Sequence, residues 1–220
     1  MCVIYGSLNF IKTIMILGIP KEIIENETRV AVIPATVKQF ISAGFTVKIE
    51  SGAGLASQIS DQDFKDVGAE ILSSASEIFN QADMVLKVNS PTTEEIQMIK
   101  KDSSYLSFFQ TMKEIDKVQA LQSKNVTGYS MHLIPRTTLA QKMDALSSQT
   151  NIAGYKAVLI ASCHIEKYMP LLMTAAGTIP PAKVLVLGAG VAGLSAIATA
   201  KRLGAQVEAS DVRPEVKEQV

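Results

Sequence analysis

From Ile14 onward the chain alternates short apolar runs with amphipathic stretches of helical period. The runs "IMILGI", "FTVKIE", "ADMVLKV", "YLSFF" and "VTGYSM" are rich in β-branched and aromatic residues and predict strands. Between them "PATVKQFISAG", "SDQDFKDVG", "SSASEIFNQ", "TTEEIQMIKK" and "KEIDKVQALQSK" predict helices. Pro34 near the start and Gly44 just past the end bracket the first of these. "SDQD" and "TTEE" put cap residues and acids where a helix's positive end favours them. Alternation at this spacing predicts an α/β fold with a parallel sheet covered on both faces.

That pattern stops near His132 and Pro135. An Ala- and Ser-rich segment follows, from about Leu139 to Tyr168, and predicts a helix with one glycine, Gly154, linking two lobes. After Pro180 and Pro181 a second strand–helix–strand unit begins, "KVLVLGAGVAGLSAIATAKRLGAQVEASD". An apolar strand over 183–187 runs into Gly188-Ala189-Gly190-Val191-Ala192-Gly193, then a helix to about Leu203, then the strand "QVEAS" closed by Asp211. This is the order that a dinucleotide needs. Gly188 permits the turn, Gly190 lets a pyrophosphate approach the backbone, and Gly193 lets helix and strand pack closely. The helix start supplies unpaired N–H groups and a positive dipole end. Asp211, eighteen residues past the last glycine, is spaced to accept from the adenosine ribose hydroxyls and to repel a 2′-phosphate, which favours NAD(H). Arg213, two residues on, is the kind of side chain that accommodates NADP(H), but the acid at the strand end outweighs it.

The expected organisation is an N-terminal extension over 1–14, an α/β domain over 15–134, a linking loop and helix over 135–168, and the start of a Rossmann domain over 169–220. Met15 reads as the natural start of the fold. The fold class is therefore α/β, two Rossmann-like lobes with parallel sheets. The second lobe is expected to be incomplete, because the chain ends nine residues after Asp211 and such a domain takes about 100–150 residues.

Composition narrows the function. In 220 residues Lys plus Arg and Asp plus Glu balance at 21 each, which removes the electrostatic case for nucleic acid or an anionic membrane. Cys2 and Cys163 make neither a metal spacing nor a disulfide framework, so no metal is expected, and a reducing cytoplasm fits. The uncharged run over 184–200 falls just short of a spanning helix and reads better as a buried strand and helix.

One short stretch asks for chemistry of its own. "PRTTLAQKMD", residues 135–144, sets Arg136, Gln141 and Asp144 at spacings of five and three. Gln141 is a neutral amide that holds a polar ring substituent without a titratable proton. Arg136 offers a rigid donor fork, and Asp144 orients it or accepts from a ribose. On one continuous helix Gln141 and Asp144 would share a face, with Arg136 to the side. Helix and loop both remain open from the sequence.

"GIPKE…ENETRVAVIPATV", "RTTLAQKMD…LSSQTNIAGY", "TAAGTIPPAKVLVLGAGVAGL" and "SDVRP" together resemble the NAD(H)-binding component of the proton-translocating NAD(P) transhydrogenase family, related in fold to alanine dehydrogenase. The resemblance runs from Met15 to Val220. It implies Re/Si-specific hydride transfer from NADH to NADP+ held by a partner domain, coupled through a membrane-spanning component to proton movement. It implies Gln141, Arg136 and Asp144 as the catalytic trio. Cofactor contacts are expected from Arg136, Thr137, Thr138, Gln141, Lys142, Met143, Asp144 and Ser147, and from Gly188, Ala189, Gly190, Val191, Gly193, Asp211, Val212 and Arg213. It further implies a homodimer, cytoplasmic and peripheral to the inner membrane through its partner subunits.

The competing reading is an alanine dehydrogenase-like oxidoreductase. By resemblance, Arg29 and Lys87 match that enzyme's substrate contacts. Amino-acid oxidation also needs a titratable partner, and where that enzyme carries a histidine this chain offers Gln110. His132 and His164 fall elsewhere and read as surface or packing residues. A third, non-enzymatic reading is a split or relic fragment that needs the rest of its second lobe in trans, and the chain alone is expected to be inactive and to bind NADH weakly or not at all.

Overall fold

A computed structural model describes residues 15–219; the expected extension over 1–14 lies outside the described residues. The chain divides into two compact units, with the boundary between Ile134 and Pro135.

In the first unit six strands form one parallel sheet: β1 (Ile16–Ile19), β2 (Thr46–Glu50), β3 (Glu70–Leu72), β4 (Met84–Leu86), β5 (Ser104–Ser107) and β6 (Thr127–Ser130). Their spatial order is β3-β2-β1-β4-β5-β6, the doubly wound arrangement. The crossovers carry α1 (Pro34–Ser42), α2 (Asp61–Asp66), α3 (Ala75–Gln81), α4 (Thr93–Met98) and α5 (Ile115–Ser123). β3 is an addition to the strands the sequence predicted. The strand is only three residues long, with Glu70 exposed and Ile71 and Leu72 half-buried, so no apolar run marks it. Two helix starts behave as their sequences suggest. Ser60 and Asp63 form a capping box on α2, and Thr92 and Glu95 form one on α4. Leu17, Ile19, Val47 and Ile49 are buried together with Val37 and Phe64, while Val85, Tyr105, Phe79, Ile96 and Leu121 make a second cluster.

Strand order reverses between β1 and β4, and a buried charge cluster sits at their carboxyl ends. Lys87 Nζ lies 2.6 Å from Glu95 Oε1 and 3.7 Å from Glu22 Oε2, with all three residues at least nine-tenths buried. Glu22 also accepts from the Val88 N–H at 2.6 Å and from the Asn89 side chain at 3.1 Å. Glu95 uses its other oxygen on the Thr92 N–H at 2.9 Å, so a helix cap and an ion pair share one carboxylate. Beside this, Glu27 takes Arg29 Nη2 at 2.6 Å and Asn89 Nδ2 at 2.9 Å. The hydrogen bond from Arg29 holds the Glu27 carboxyl down, from its ordinary 4.5 to about 2.

The second unit begins with a loop and a long helix, α6 (Ala145–His164). An antiparallel hairpin, β7 (Leu172–Thr174) with β8 (Gly177–Ile179), precedes β9 (Lys183–Leu187), α7 (Val191–Arg202) and β10 (Gln206–Ser210). β9 and β10 pair in parallel, with Val184 beside Val207 and Leu187 beside Ser210. Val184, Val207, Ala182 and Ala200 pack with Val158 of α6 and Met169. The helix that the sequence read as a link between lobes thus packs in the second unit. Leu185 and Leu187, on the alternate positions of β9, are exposed. No helix among the described residues is long and apolar enough to cross a membrane.

Replacing Lys87 with Met would leave two buried carboxylates without their cation. The expected loss is about 3–5 kcal/mol, read by urea unfolding of the first unit; a loss below about 1 kcal/mol would contradict the pairing. The Glu27 carboxyl is depressed on folding, so its contribution is fully present above the ordinary value of 4.5 and is lost as pH falls toward about 2. Accordingly, the gap in melting temperature between the unsubstituted chain and Glu27→Gln should shrink over that interval. A gap that stays constant with pH would rule this out.

Candidate functional site

All the groups singled out in the 135–144 stretch and the glycine loop belong to the second unit, and one close helix contact brings them together. A Cβ on Gly154 of α6 would lie 2.8 Å from the carbonyl carbon of Ala192 and closer still to its oxygen, at the start of α7. Only a residue without a side chain lets the two helices cross this tightly. The contact carries the amino-terminal turns of α6, with Ser147 and Thr150, alongside the glycine loop. Gly154 was visible in the sequence only as a lone helical glycine. Its neighbours Ala153 and Ala157, which also line the site, were the available signal for a close crossing.

The glycine loop has the form its motif requires. Gly188 turns with φ +94°, and its N–H donates to the Ser210 carbonyl at 2.7 Å. A Cβ on Gly193 would fall 2.8 Å from the Gly188 carbonyl carbon and closer still to its oxygen, so the residue's smallness lets α7 start tight against the loop. Gly190 is the N-cap of α7, and no side chain caps that helix start. At Gly190 a Cβ would meet nothing within 4 Å except the end of Arg213, at 3.9 Å. An open, uncapped helix start with a bare backbone approach fits a phosphate group.

Asp211 closes the far side. Its Oδ2 accepts from the Ala189 N–H at 2.7 Å, tying the strand end to the glycine loop. Its Oδ1 accepts from the Arg213 N–H at 2.9 Å, and the Arg213 guanidinium donates to both oxygens at 3.1 Å. Those bonds, the guanidinium's first, hold the Asp211 carboxyl far below the usual carboxylate range. Val212 beside it is fully exposed.

The segment 135–144 is not one continuous helix. It is a loop with a single 3-10 turn, Gln141–Met143, and Asp144 then serves as N-cap of α6. Asp144 Oδ1 accepts the Ser147 N–H at 2.8 Å and Oδ2 accepts the Ser147 hydroxyl at 2.6 Å. Both bonds lower the Asp144 pKa, and the nearby charge of Arg136 adds to the effect. Arg136, Thr137, Thr138, Gln141, Asp144 and Ser147 line a depression of about 290 Å³. Lys142 and Met143 are exposed and do not line it.

Three depressions follow one another. The first shares Arg136 and Ser147 with a cleft of about 610 Å³ floored by Gly188, Gly190 and Gly193 and walled by Val191, Asp211 and Arg213. That cleft shares Asp211 and Arg213 with a third of about 520 Å³, bounded by Ala189, Ser210, Pro214, Val216 and Lys217. The row is continuous enough for an elongated ligand, with the bare glycine-loop backbone in the middle. Pro214 and Lys217 were not predicted, since they follow the motif on a 3-10 stretch with no pattern of its own.

Residues of the competing reading lie in the first unit. Lys87 is buried against Glu95 and Glu22, and Arg29 is paired with Glu27. His132 stacks edge-on against Phe108, with ring centres 6.2 Å apart, and His164 Nδ1 pairs with the Ile160 carbonyl in the last turn of α6.

The βαβ unit, its bare glycine loop and the terminal acid define a Rossmann-type site for an anionic, extended ligand. Comparison with known proteins makes the assignment specific. Residues 18–153 match the family model "Alanine dehydrogenase/PNT, N-terminal domain", and residues 157–220 match "Alanine dehydrogenase/PNT, C-terminal domain"; the chain belongs to this family. It is 48% identical over 206 residues to the NAD(P) transhydrogenase subunit alpha of Haemophilus influenzae, covering 94% of this chain and 40% of that protein. It is 46% identical over 211 residues to the first part of the NAD(P) transhydrogenase subunit alpha of Rhodospirillum rubrum, covering 94% and 55% respectively. Among solved structures it resembles the transhydrogenase of Sinorhizobium meliloti at a TM-score of 0.89 and 46% identity, over 93% of this chain and 59% of that one. The chain spans about half the length of the curated relatives it matches.

Gly154→Ala separates packing from propensity. On a free helix surface that change gains up to about 1 kcal/mol. Here the added methyl meets Ala192, so a loss of about 1–3 kcal/mol is expected on thermal or urea unfolding. A gain would show that the helices do not cross at this point.

Proposed function

We propose that this chain is the NAD(H)-binding part of a proton-translocating NAD(P) transhydrogenase. The observation that carries the reading is the continuous row of depressions, in which the glycine loop adjoins the Arg136–Ser147 segment on one side and Asp211 on the other. The relatives, NAD(P) transhydrogenase alpha subunits 46–48% identical over nearly the whole chain, support it.

In this reading the backbone N–H groups at the start of α7 take the pyrophosphate, and Gly190 allows its close approach. Asp211 serves the adenosine ribose. Gln141 holds the nicotinamide end without a titratable proton, with Arg136 beside it and Thr137, Thr138 and Ser147 completing the wall. Asp144 acts by capping α6 and fixing Ser147, so its part is to position the segment. The coenzyme supplies the hydride. It passes directly to the nicotinamide of NADP+ on a partner domain, giving NAD+ and NADPH, and no general acid or base is needed. What the chain contributes is placement, of Re/Si stereochemistry in this reading. A homodimer, docked from the cytoplasmic side on a membrane-spanning partner that moves protons, completes the proposal.

The alanine dehydrogenase reading would use Lys87 and Arg29, and both have carboxylate partners from within the chain. Assayed with its NADP(H)-binding partner, the protein should reduce an NADP analogue at the expense of NADH. Turnover of pyruvate plus ammonia in its place would overturn the proposal. Saturable binding of NADH by the chain itself in the low-micromolar range would refute the relic reading. Gln141→Asn should slow hydride transfer about tenfold or more while NADH affinity changes by less than about twofold, because it shifts the ring without removing a major contact. Equal losses in rate and affinity would make Gln141 a simple binding group.

A further inference from the structure

The Asp211 carboxylate is full. It offers about four acceptor directions. The Ala189 N–H, the Arg213 N–H and two nitrogens of the Arg213 guanidinium supply four donors at 2.7–3.1 Å. A ribose diol can therefore reach Asp211 only by displacing one of them. Ala189 is buried inside the glycine loop, and the Arg213 N–H is fixed by the chain two residues away. The guanidinium belongs to a side chain that is 52% exposed, and it is the donor free to leave.

It also has somewhere to go. Arg213 Nη2 already reaches over Gly190, 3.9 Å from where a Cβ would stand, above backbone that is otherwise open. Arg213 and Asp211 together form the partition between the glycine-loop cleft and the depression beyond it. A ligand that fills both must pass this pair.

Resting on the NAD(H) reading, we infer that Arg213 is an exchanging ligand: in the free chain it occupies Asp211, and on binding it moves to the pyrophosphate and leaves Asp211 to the ribose hydroxyls. Each charge keeps a partner throughout, so the exchange trades one charge-assisted contact for another. A ligand that has the ribose but no phosphates gains nothing for the guanidinium it displaces. The pair thus makes phosphate a condition for gripping the ribose.

The test is calorimetric titration of the chain and its Arg213→Leu and Arg213→Lys variants with ADP-ribose and with adenosine. Circular dichroism and melting curves establish that each variant is folded. Loss of one charge-assisted contact should weaken ADP-ribose binding by about tenfold in Arg213→Leu. Adenosine affinity should hold or rise, because Asp211 is now open, and Arg213→Lys should recover part of the ADP-ribose affinity. ADP-ribose binding within twofold of the unsubstituted chain, or equal losses for both ligands, would overturn the exchange while leaving the NAD(H) reading intact. An unsubstituted chain that binds no ADP-ribose would overturn the inference for this chain, and the NADP-analogue assay with the partner then decides the NAD(H) reading separately.

Discussion

The second unit depends on the crossing of α6 over the start of α7, where Gly154 meets the Ala192 carbonyl with no room for a side chain. Protein interiors pack like crystals, so a helix separation is set by the bulk at its contact point. Here the bulk is a single hydrogen, and the consequence is positional. The turns of α6 that follow Asp144 lie beside the glycine loop, and a segment far away in sequence becomes the wall of the same track. Had residue 154 carried a methyl, the Arg136–Ser147 segment would stand off from the loop.

Acidic side chains do most of the remaining fixing. Asp144 caps α6 and holds the Ser147 hydroxyl. Asp211 ties the end of β10 to Ala189 in the glycine loop. In the first unit Glu95 caps α4 and neutralises Lys87 with its two oxygens. In each case one carboxylate satisfies backbone donors that a helix start or a turn leaves unpaired, and a cation or hydroxyl takes what is left. The same economy limits what the groups offer to a ligand. Lys87 is committed to its buried carboxylates, which argues against a substrate role in the first unit, whereas Asp211 shares its carboxylate with the half-exposed Arg213.

Much of this was legible in the chain itself. The parallel sheet follows from alternating runs such as "FTVKIE" and "ADMVLKV", because each side-chain period has only one regular element that buries it. Ser60 and Thr92 announce their helix starts, since the cap needs an oxygen three residues before an acid. The glycine loop is legible for a stricter reason: Gly188 takes a positive φ and Gly193 has no room for a Cβ, while Gly190 keeps the backbone between them bare. What escaped was short or contextual. β3 has three residues and the β7–β8 hairpin two strands of three, and neither buries enough surface to leave an apolar signature. Whether 136–144 was helix or loop turned on Asp144 serving as a cap, a choice made by the Ser147 amide rather than by local propensity. The commitment of Lys87 to Glu95 and Glu22 depends on strand order, which no linear spacing reveals.

The central claim is that a dinucleotide lies along the track with its phosphates over Gly190 and its redox-active ring beside Gln141. A crystal structure of the chain with NADH tests it most directly. The account predicts the pyridine ring within contact of Gln141 and Arg136, with the adenosine on the Asp211 side of the loop. Phosphates seated over the glycine loop with the pyridine ring turned away from the 136–147 segment would contradict it.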